Sequence, residues 1–265
     1  SAQAQLYWNT NGTSNNWNSS TWGASSSGPF TGAWVNTSDI VFGVASTGTN
    51  LINLNTALTN GNITVNGNTV VSGTSTISSK AGGSTVTVAN GVTFTTAGQN
   101  WSSTATNFNW TKAGNGTWDL GTINQTVGAG AAGITLNAGT LIARGNGNFG
   151  GANGKLTING GTFAWSGSRT FANPFTFGGN FALSNASANT LTFSNISLAA
   201  NSTITNVLSN TVTFGAISGS AGLTFTNTSI GTSYIVLNGN NTYSGGLTLN
   251  SGQIRLDSAT ALGSG

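Results

Sequence analysis

The chain lacks cysteine, histidine and glutamate, and only 3% of its 265 residues carry a charged side chain. Without cysteine there is neither a disulfide framework nor a thiolate metal site. Without histidine there is no imidazole base to activate a serine or threonine hydroxyl. The three acidic residues, Asp39, Asp119 and Asp257, are too scattered to predict the paired carboxylates of a glycosidase. We therefore predict no catalytic residue, no cofactor and no metal ion.

Long apolar runs and clusters of basic residues are also missing. No apolar stretch approaches the roughly 18 residues of a membrane helix, so the sequence predicts no transmembrane segment. The six basic residues give a net charge of +3, but they are isolated from one another along the chain. A nucleic-acid-binding surface gathers lysine and arginine on one face or stripe. The sequence therefore predicts no nucleic-acid partner.

Strand-forming residues dominate what is present. The chain is 37% hydrophobic, with 8 Trp and 13 Phe, which is enough apolar material for a core and unlike a disordered segment. Runs of Val, Ile, Thr and Phe favour strands, because branched and aromatic side chains pack well on a pleated surface. The 40 glycines recur at intervals that would weaken a helix. These features predict an all-β protein.

Four segments repeat one pattern, in which apolar, threonine, apolar and asparagine residues precede a small turn and a second alternating strand. They are ITVNGNTVVSG from Ile63, ITLNAGTLIARG from Ile134, LTINGGTFAWSG from Leu156 and LTLNSGQIRLDS from Leu247. The asparagine and glycine of each turn are residues that adopt positive φ at little steric cost. Similar segments recur after 22 residues, from Ile134 to Leu156, and after 24, from Leu223 to Leu247.

A recurrence of this length is typical of a β-solenoid, in which each strand stacks on its counterpart one coil later. The alternatives are a β-sandwich, whose hairpins recur at about 8 to 12 residues, and coincidence within a composition rich in Asn, Thr and Gly. We expect a solenoid over residues 43–265, with irregular coils of about 19–24 residues. The inward-facing residues are expected to be Ile134, Leu136, Leu141, Leu156, Ile158, Phe163, Leu247, Leu249 and Ile254.

Residues 1–42 differ from the rest, because they show little regular alternation and concentrate four indoles. These are Trp8, Trp17, Trp22 and Trp34. A solenoid's first coil has an unpaired edge, which natural sheet proteins cover. We therefore expect an aromatic-rich N-terminal cap or docking segment, and the competing interpretation is a platform on which sugars stack.

The last 26 residues carry a family resemblance. The segment 240–265, NNTYSGGLTLNSGQIRLDSATALGSG, is similar to the autotransporter-associated β-strand repeat. The residues on that pattern are Thr242, Tyr243, Gly245, Gly246, Asn250, Gly252, Ala261, Leu262 and Gly263. The segment 114–151 resembles a diverged second copy. The resemblance implies a right-handed parallel β-helix from the passenger region of a bacterial surface or exported protein, adhesive or fibrous and without catalytic residues.

Two functions are consistent with these features. The first is a secreted, extracellular structural rod that assembles head-to-tail into a filament, because an exposed terminal coil is a template for strand addition. Its expected assembly surface consists of Trp8, Trp17, Trp22, Trp34, Leu247, Leu249, Ile254 and Leu256. The second is an adhesin that binds neutral glycans through exposed Trp and amide side chains, with Trp101, Trp110, Trp118 and Trp165 as candidates. The small residues at the start, 1–5, resemble the end of a cleaved signal peptide.

Overall fold

The computed structural model describes most of the chain and shows strands without helices. The described residues are 5–8, 14–17, 22–25, 27, 32–43, 48–97, 109–122, 133–149, 154–185, 187, 189–206, 210–228 and 234–265. Within these ranges no helical segment is present that could cross a membrane. The prediction of an all-β protein is confirmed.

The strands are short in the first part of the chain and longest in β18, β20 and β22. In the N-terminal half they are β1 Gln5–Trp8, β2 Ser14–Asn16, β3 Trp22–Gly23, β4 Asp39–Phe42, β5 Asn50–Leu54, β6 Leu58–Asn60, β7 Ile63–Val65, β8 Thr69–Gly73, β9 Ile77–Ser79, β10 Ser84–Val88, β11 Thr93–Thr96, β12 Asn109–Ala113 and β13 Thr117–Asp119. In the C-terminal half they are β14 Gly133–Leu136, β15 Thr140–Ala143, β16 Leu156–Ile158, β17 Thr162–Trp165, β18 Arg169–Phe177, β19 Phe181–Ser184, β20 Leu191–Leu198, β21 Ser202–Asn206, β22 Val212–Gly219, β23 Leu223–Asn227, β24 Ile235–Leu237, β25 Leu247–Ser251 and β26 Ile254–Leu256.

The strands form two long sheets that run side by side along a β-solenoid. One sheet has 13 strands in the order β26-β24-β22-β20-β18-β16-β14-β12-β10-β7-β4-β1-β3, and the other has 11 in the order β2-β5-β8-β11-β13-β15-β17-β19-β21-β23-β25. Except for β1 with β3, the neighbours in these sheets pair in parallel. A short third sheet pairs β6 with β9. The parallel stacking confirms the predicted solenoid. The described strands do not form the successive antiparallel hairpins of a β-sandwich.

The sequence repeats lie directly above one another in the stack. Ile63 aligns with Val86, Ile134 with Leu156, and Leu223 with Leu247. From β4 onward the offset between paired residues ranges from 19 residues, at Leu156 and Phe175, to 26, at Ser84 and Trp110. The strands therefore stay in register because the differences in coil length are absorbed by the segments between them.

The core is a column of inward-facing side chains that runs through the stack. Of the residues predicted to point inward, Ile134, Leu136, Leu141, Leu156, Ile158 and Phe163 are buried. Leu247 and Ile254 are only partly buried, and Leu249 is 41% exposed, which corrects the prediction that it is enclosed. Leu249 does align with the buried Phe225 and so occupies the inward row, but it lies in β25, the last of the described strands in its sheet.

Three of the four repeat turns place a glycine at positive φ as predicted, whereas Gly67 in the first turn and the turn asparagines do not have positive φ. Gly139 and Gly161 have φ of 70° and 78°. The backbone of the preceding coil also leaves no room for a side chain at these positions. A Cβ on Gly161, for example, would lie 2.5 Å from the carbonyl oxygen of Gly139. Among the described residues, Thr37 is the non-glycine residue with positive φ. The turn asparagines link coils instead, as where Asn159 Nδ2 donates to Asn137 Oδ1 over 2.9 Å.

Candidate assembly surface

The N-terminal end of the solenoid is covered by the chain's own first strands. β1 aligns in parallel with β4, from Gln5 opposite Asp39 to Trp8 opposite Phe42. On its other side β1 pairs antiparallel with the two-residue strand β3, and Trp22 in β3 bridges to Gly32. In the neighbouring sheet, the edge strand at this end is β2.

The N-terminal indoles pack on one another and on the first coil. Trp22 lies with its ring centroid 4.9 Å from that of Trp8, 5.6 Å from Trp17 and 5.2 Å from Trp34. Phe42 lies 5.4 Å from Trp17. Trp22 Nε1 donates to the Trp17 carbonyl oxygen over 2.8 Å. Trp8, Trp17 and Trp22 are fully buried and Trp34 is partly buried, so most of the predicted N-terminal assembly surface lies inside the rod's end.

The mid-chain tryptophans are core residues as well. Trp110, Trp118 and Trp165 are buried. Trp110 and Trp118 belong to an aromatic column, with ring centroids 6.3 Å apart and Trp118 stacked 6.2 Å from Phe94. Trp101 lies outside the described residues. The prediction that exposed Trp side chains stack on sugars is therefore wrong for these three positions, because their neighbours in adjacent coils enclose them.

The C-terminal end of the solenoid presents apolar side chains and two edge strands. β25 and β26 are the last strands of the 11-stranded and 13-stranded sheets. Leu249 in β25 is 41% exposed, Leu256 in β26 is 48% exposed, and Leu262 beyond them is 51% exposed. Leu247 and Ile254 complete the patch as partly buried residues. The predicted C-terminal assembly residues thus lie in the last strand of each long sheet, and we call them, together with Leu262, the end face.

The three carboxylates of the chain are each engaged by a basic side chain. Lys80 Nζ lies 3.8 Å from Asp39 Oδ1, Arg144 lies 2.7 Å from the buried Asp119, and Arg255 lies 2.8 Å from Asp257. Asp119 also accepts a hydrogen bond from the backbone N–H of Gly121. The Arg144–Asp119 pair thereby joins β13 to the residue that follows β15 in the next coil.

Lys112 is the unexpected member of the core. It is fully buried in the inward row of β12, between Val86 of the previous coil and Leu136 of the next. Its Nζ donates to the carbonyl oxygens of Ala113 at 2.8 Å, Gly114 at 2.7 Å and Ala138 at 3.0 Å. The ammonium thus links the turns of two successive coils. Burial, which disfavours the charged form, lowers the pKa of Lys112 from 10.5 to about 8.

Lys112 should make stability depend on pH above 8. Between the folded pKa of about 8 and the unfolded value of 10.5, the unfolded chain binds a proton that the folded chain does not. Raising the pH through this window therefore stabilises the fold, by up to about 3 kcal/mol, and below pH 8 the contribution is constant. Urea denaturation at pH 7.5 and 9.5 measures it, and Lys112→Met should abolish the rise. An equal rise in both proteins would contradict the assignment.

Comparison with known proteins adds no relative. No protein-family model, no curated protein and no solved structure matches the chain. Among the described residues, no group of three or more His, Cys, Asp and Glu side chains is placed to hold a metal ion. The features that can suggest a function are therefore the two ends of the solenoid and its outer faces.

Proposed function

We propose that the protein is a secreted structural rod of the bacterial cell surface, of the kind that contains autotransporter-associated β-strand repeats. Two features support this proposal. The first is the continuous β-solenoid, in which each coil stacks on the last. The second is the similarity of the segment 240–265 to the family pattern, including the buried Tyr243, whose ring packs beneath Gly263.

The continuous stack of parallel coils is the observation that carries the structural role, and we propose that the end face extends this stack from one copy to the next. β25 and β26 have a parallel neighbour on one side only, so each presents a row of backbone groups to a further strand. The exposed Leu249, Leu256 and Leu262 would gain burial at about 25 cal/mol per Å² on being covered. With so few charges, electrostatic repulsion between copies is weak.

The second copy of the chain offers a matching edge at its other end. β2 is the first strand of the same sheet in which β25 is the last. Pairing of β25 with β2 of the next copy would continue that sheet from one molecule to the next. Such a heterologous contact repeats into a filament unless the rotation closes a ring. Val35, 58% exposed, and the partly buried Trp34 lie at that end and supply apolar surface for the end-face leucines.

Charge introduced on the end face should therefore prevent assembly. In the double variant Leu249→Lys and Leu256→Lys, association is expected to weaken by roughly a hundredfold or more, since burying each leucine contributes about 1.5–3 kcal/mol. Sedimentation velocity across a concentration series measures association, and electron microscopy of the unmodified protein should show filaments with an axial repeat near one rod length.

The matched control is Ile142→Lys, because Ile142 is a partly exposed aliphatic residue on the outward side of β15, in the middle of the 11-stranded sheet and away from both of its ends. This variant should assemble like the unmodified protein. The filament would be ruled out if the unmodified protein stayed monomeric at every concentration. It would also be ruled out if the end-face variant assembled normally.

The second candidate function is a glycan-binding adhesin. Burial of the described mid-chain indoles removes the stacking surface first expected for it. The amide and hydroxyl side chains remain, and they line concave regions of the outer faces. The adhesin role therefore rests on hydrogen bonding rather than on aromatic stacking, and a glycan-binding assay with the substitutions described below tests it.

A further inference from the structure

A groove crosses the outer face of the 13-stranded sheet where its strands are longest. It has a volume of about 340 Å³ and spans β18, β20, β22 and the following segment at Asn240 and Thr242. The pairing of β18 with β20 shifts register between Phe171 and Pro174, and such irregularities bend a strand. At the same bend Gly215 approaches the preceding coil so closely that a Cβ would lie 2.4 Å from Ser194 O. Bend and close approach account for the concave surface.

Two rows of short side chains line the groove. In one, Thr176, Ser197 and Ser218 align across three successive coils. In the other, Pro174, Asn195 and Ala216 align across the same coils. Successive members of each row repeat at about 4.8 Å, the spacing of hydrogen-bonded strands. The groove therefore presents a row of three hydroxyl groups along the rod axis, beside a second row that contributes the amide of Asn195.

The hydrogen-bonding capacity of this wall is largely unused within the protein. Ser218 Oγ donates to the Ile196 carbonyl oxygen. Among the described residues, the side chains of Thr176, Asn195 and Ser197 make no such bond. The amides of Asn137 and Asn159, in contrast, bond to each other across coils. Hydroxyl and amide groups both donate and accept, so the free groups suit a ligand that carries many hydroxyls.

Lys155 stands at one end of the groove beside Pro174 and is exposed. The chain has three carboxylates, and they pair with Lys80, Arg144 and Arg255. No side chain of this protein is thus left to neutralise Lys155. The groove combines one unneutralised cation with neutral polar walls and includes no acidic residue, a distribution of charge that is complementary to an anionic ligand.

We propose that this groove binds an acidic polysaccharide, with the chain lying along the rod axis and a carboxylate or sulfate on Lys155. Other extended ligands fit less well. A peptide could not add as a further strand here, because β18, β20 and β22 are paired on both sides. A single-stranded nucleic acid would need several cations and exposed aromatic rings, and the groove has one cation while Phe175 in its floor is buried. This inference goes beyond the structural role and is independent of filament formation.

Isothermal titration calorimetry tests the proposal with three hexameric probes: galacturonate, a sulfated glucan and unsubstituted glucan. At least one of the two acidic probes is expected to bind. The neutral glucan is expected to bind at least about tenfold more weakly, since hydrogen bonds to charged groups are stronger than those between neutral groups. Lys155→Gln should weaken acidic binding by roughly tenfold. Ala216→Trp should abolish it by filling the centre of the groove.

Matched controls separate the groove from general effects of charge and bulk. Lys80→Gln removes a cation that is paired with Asp39, far along the stack, and should not change affinity. Ala172→Trp places an indole at an exposed position of β18 outside the groove lining and should bind normally. Neutral glucan binding as tightly as the acidic probes, no binding of any acidic probe, or acidic binding that survives Ala216→Trp in a folded protein would overturn the proposal. Unchanged assembly of Lys155→Gln would show that the groove and the end face act separately.

Discussion

Phe225→Asp is expected to unfold the protein at neutral pH, whereas the same substitution at its cross-strand neighbour Leu249 is expected to leave it folded. The two residues align in the inward row of successive coils. Phe225 is fully buried, with its ring centroid 5.1 Å from that of Phe214. Loss of the ring costs about 3–5 kcal/mol, and an unpaired buried carboxylate costs several more. Together these exceed or approach the total stability of an ordinary domain, about 5–15 kcal/mol.

At Leu249 the aspartate stays in water, because the side chain it replaces is 41% exposed at the end face. The expected loss there is about 1 kcal/mol or less, as for most surface substitutions. Circular dichroism and urea denaturation of the two variants measure the contrast. Thr224→Asp, on the outward side of the same strand as Phe225, serves as the control for a new charge in β23. Equal losses at Leu249 and Phe225, measured at a concentration where the protein is monomeric, would show that the end face is enclosed within a single copy.

Phe193→Ala is expected to lower the free energy of unfolding by about 3–5 kcal/mol, the range for deleting a buried aromatic side chain. Phe193 is fully buried in a column of phenylalanines that it forms with Phe163, Phe175 and Phe214. Its ring centroid lies 4.7 Å from that of Phe175 in the previous coil and 5.4 Å from Phe214 in the next. The substitution therefore leaves a cavity between coils, and rigid parallel strands on both sides limit its collapse.

Urea denaturation of two further variants measures how the loss of unfolding free energy depends on the size of the side chain at residue 193 and on the face of β20 that is altered. Phe193→Leu keeps an apolar side chain in the column and should cost clearly less than Phe193→Ala. Thr192→Ala alters the outward face of the same strand and should change stability by about 0.5 kcal/mol or less. A loss below about 1 kcal/mol for Phe193→Ala would mean that the column is not a continuous core.

Local sequence was enough to predict the stacking and most of the inward rows. In the segments from Ile134 and Leu156, alternation of apolar and polar residues assigns each side chain to one face, since the strand period is two. Recurrence after one coil then places Ile134 beneath Leu156, as observed. The turn glycines Gly139 and Gly161 could be recognised for the same reason, because their positive φ is a property of the local backbone.

Other features depended on which residues the stack brings together. Lys112 occupies an inward position that alternation alone assigns to an apolar residue, and it is tolerated because three carbonyl oxygens from two coils meet its ammonium. The N-terminal indoles had two interpretations in the sequence, as a cap or as a sugar platform. Their packing against Phe42 places them in the core at the end of the rod, as in a cap. The sequence could not show this, since burial is decided by neighbours that are distant in sequence.

The sequence by itself determined that the chain forms strands and that the strands repeat. These follow from composition, from a period of two and from recurrence, all of which are local or nearly so. The tertiary structure alone decided that Leu249 is exposed while Phe225 is enclosed, and that Lys155 and Asn195 line one groove. The exposure of a side chain and the set of residues that meet in a groove depend on contacts between residues roughly one coil apart. The relative position of such residues is set by strand register and by the bend in β18, and no single segment of the sequence determines either.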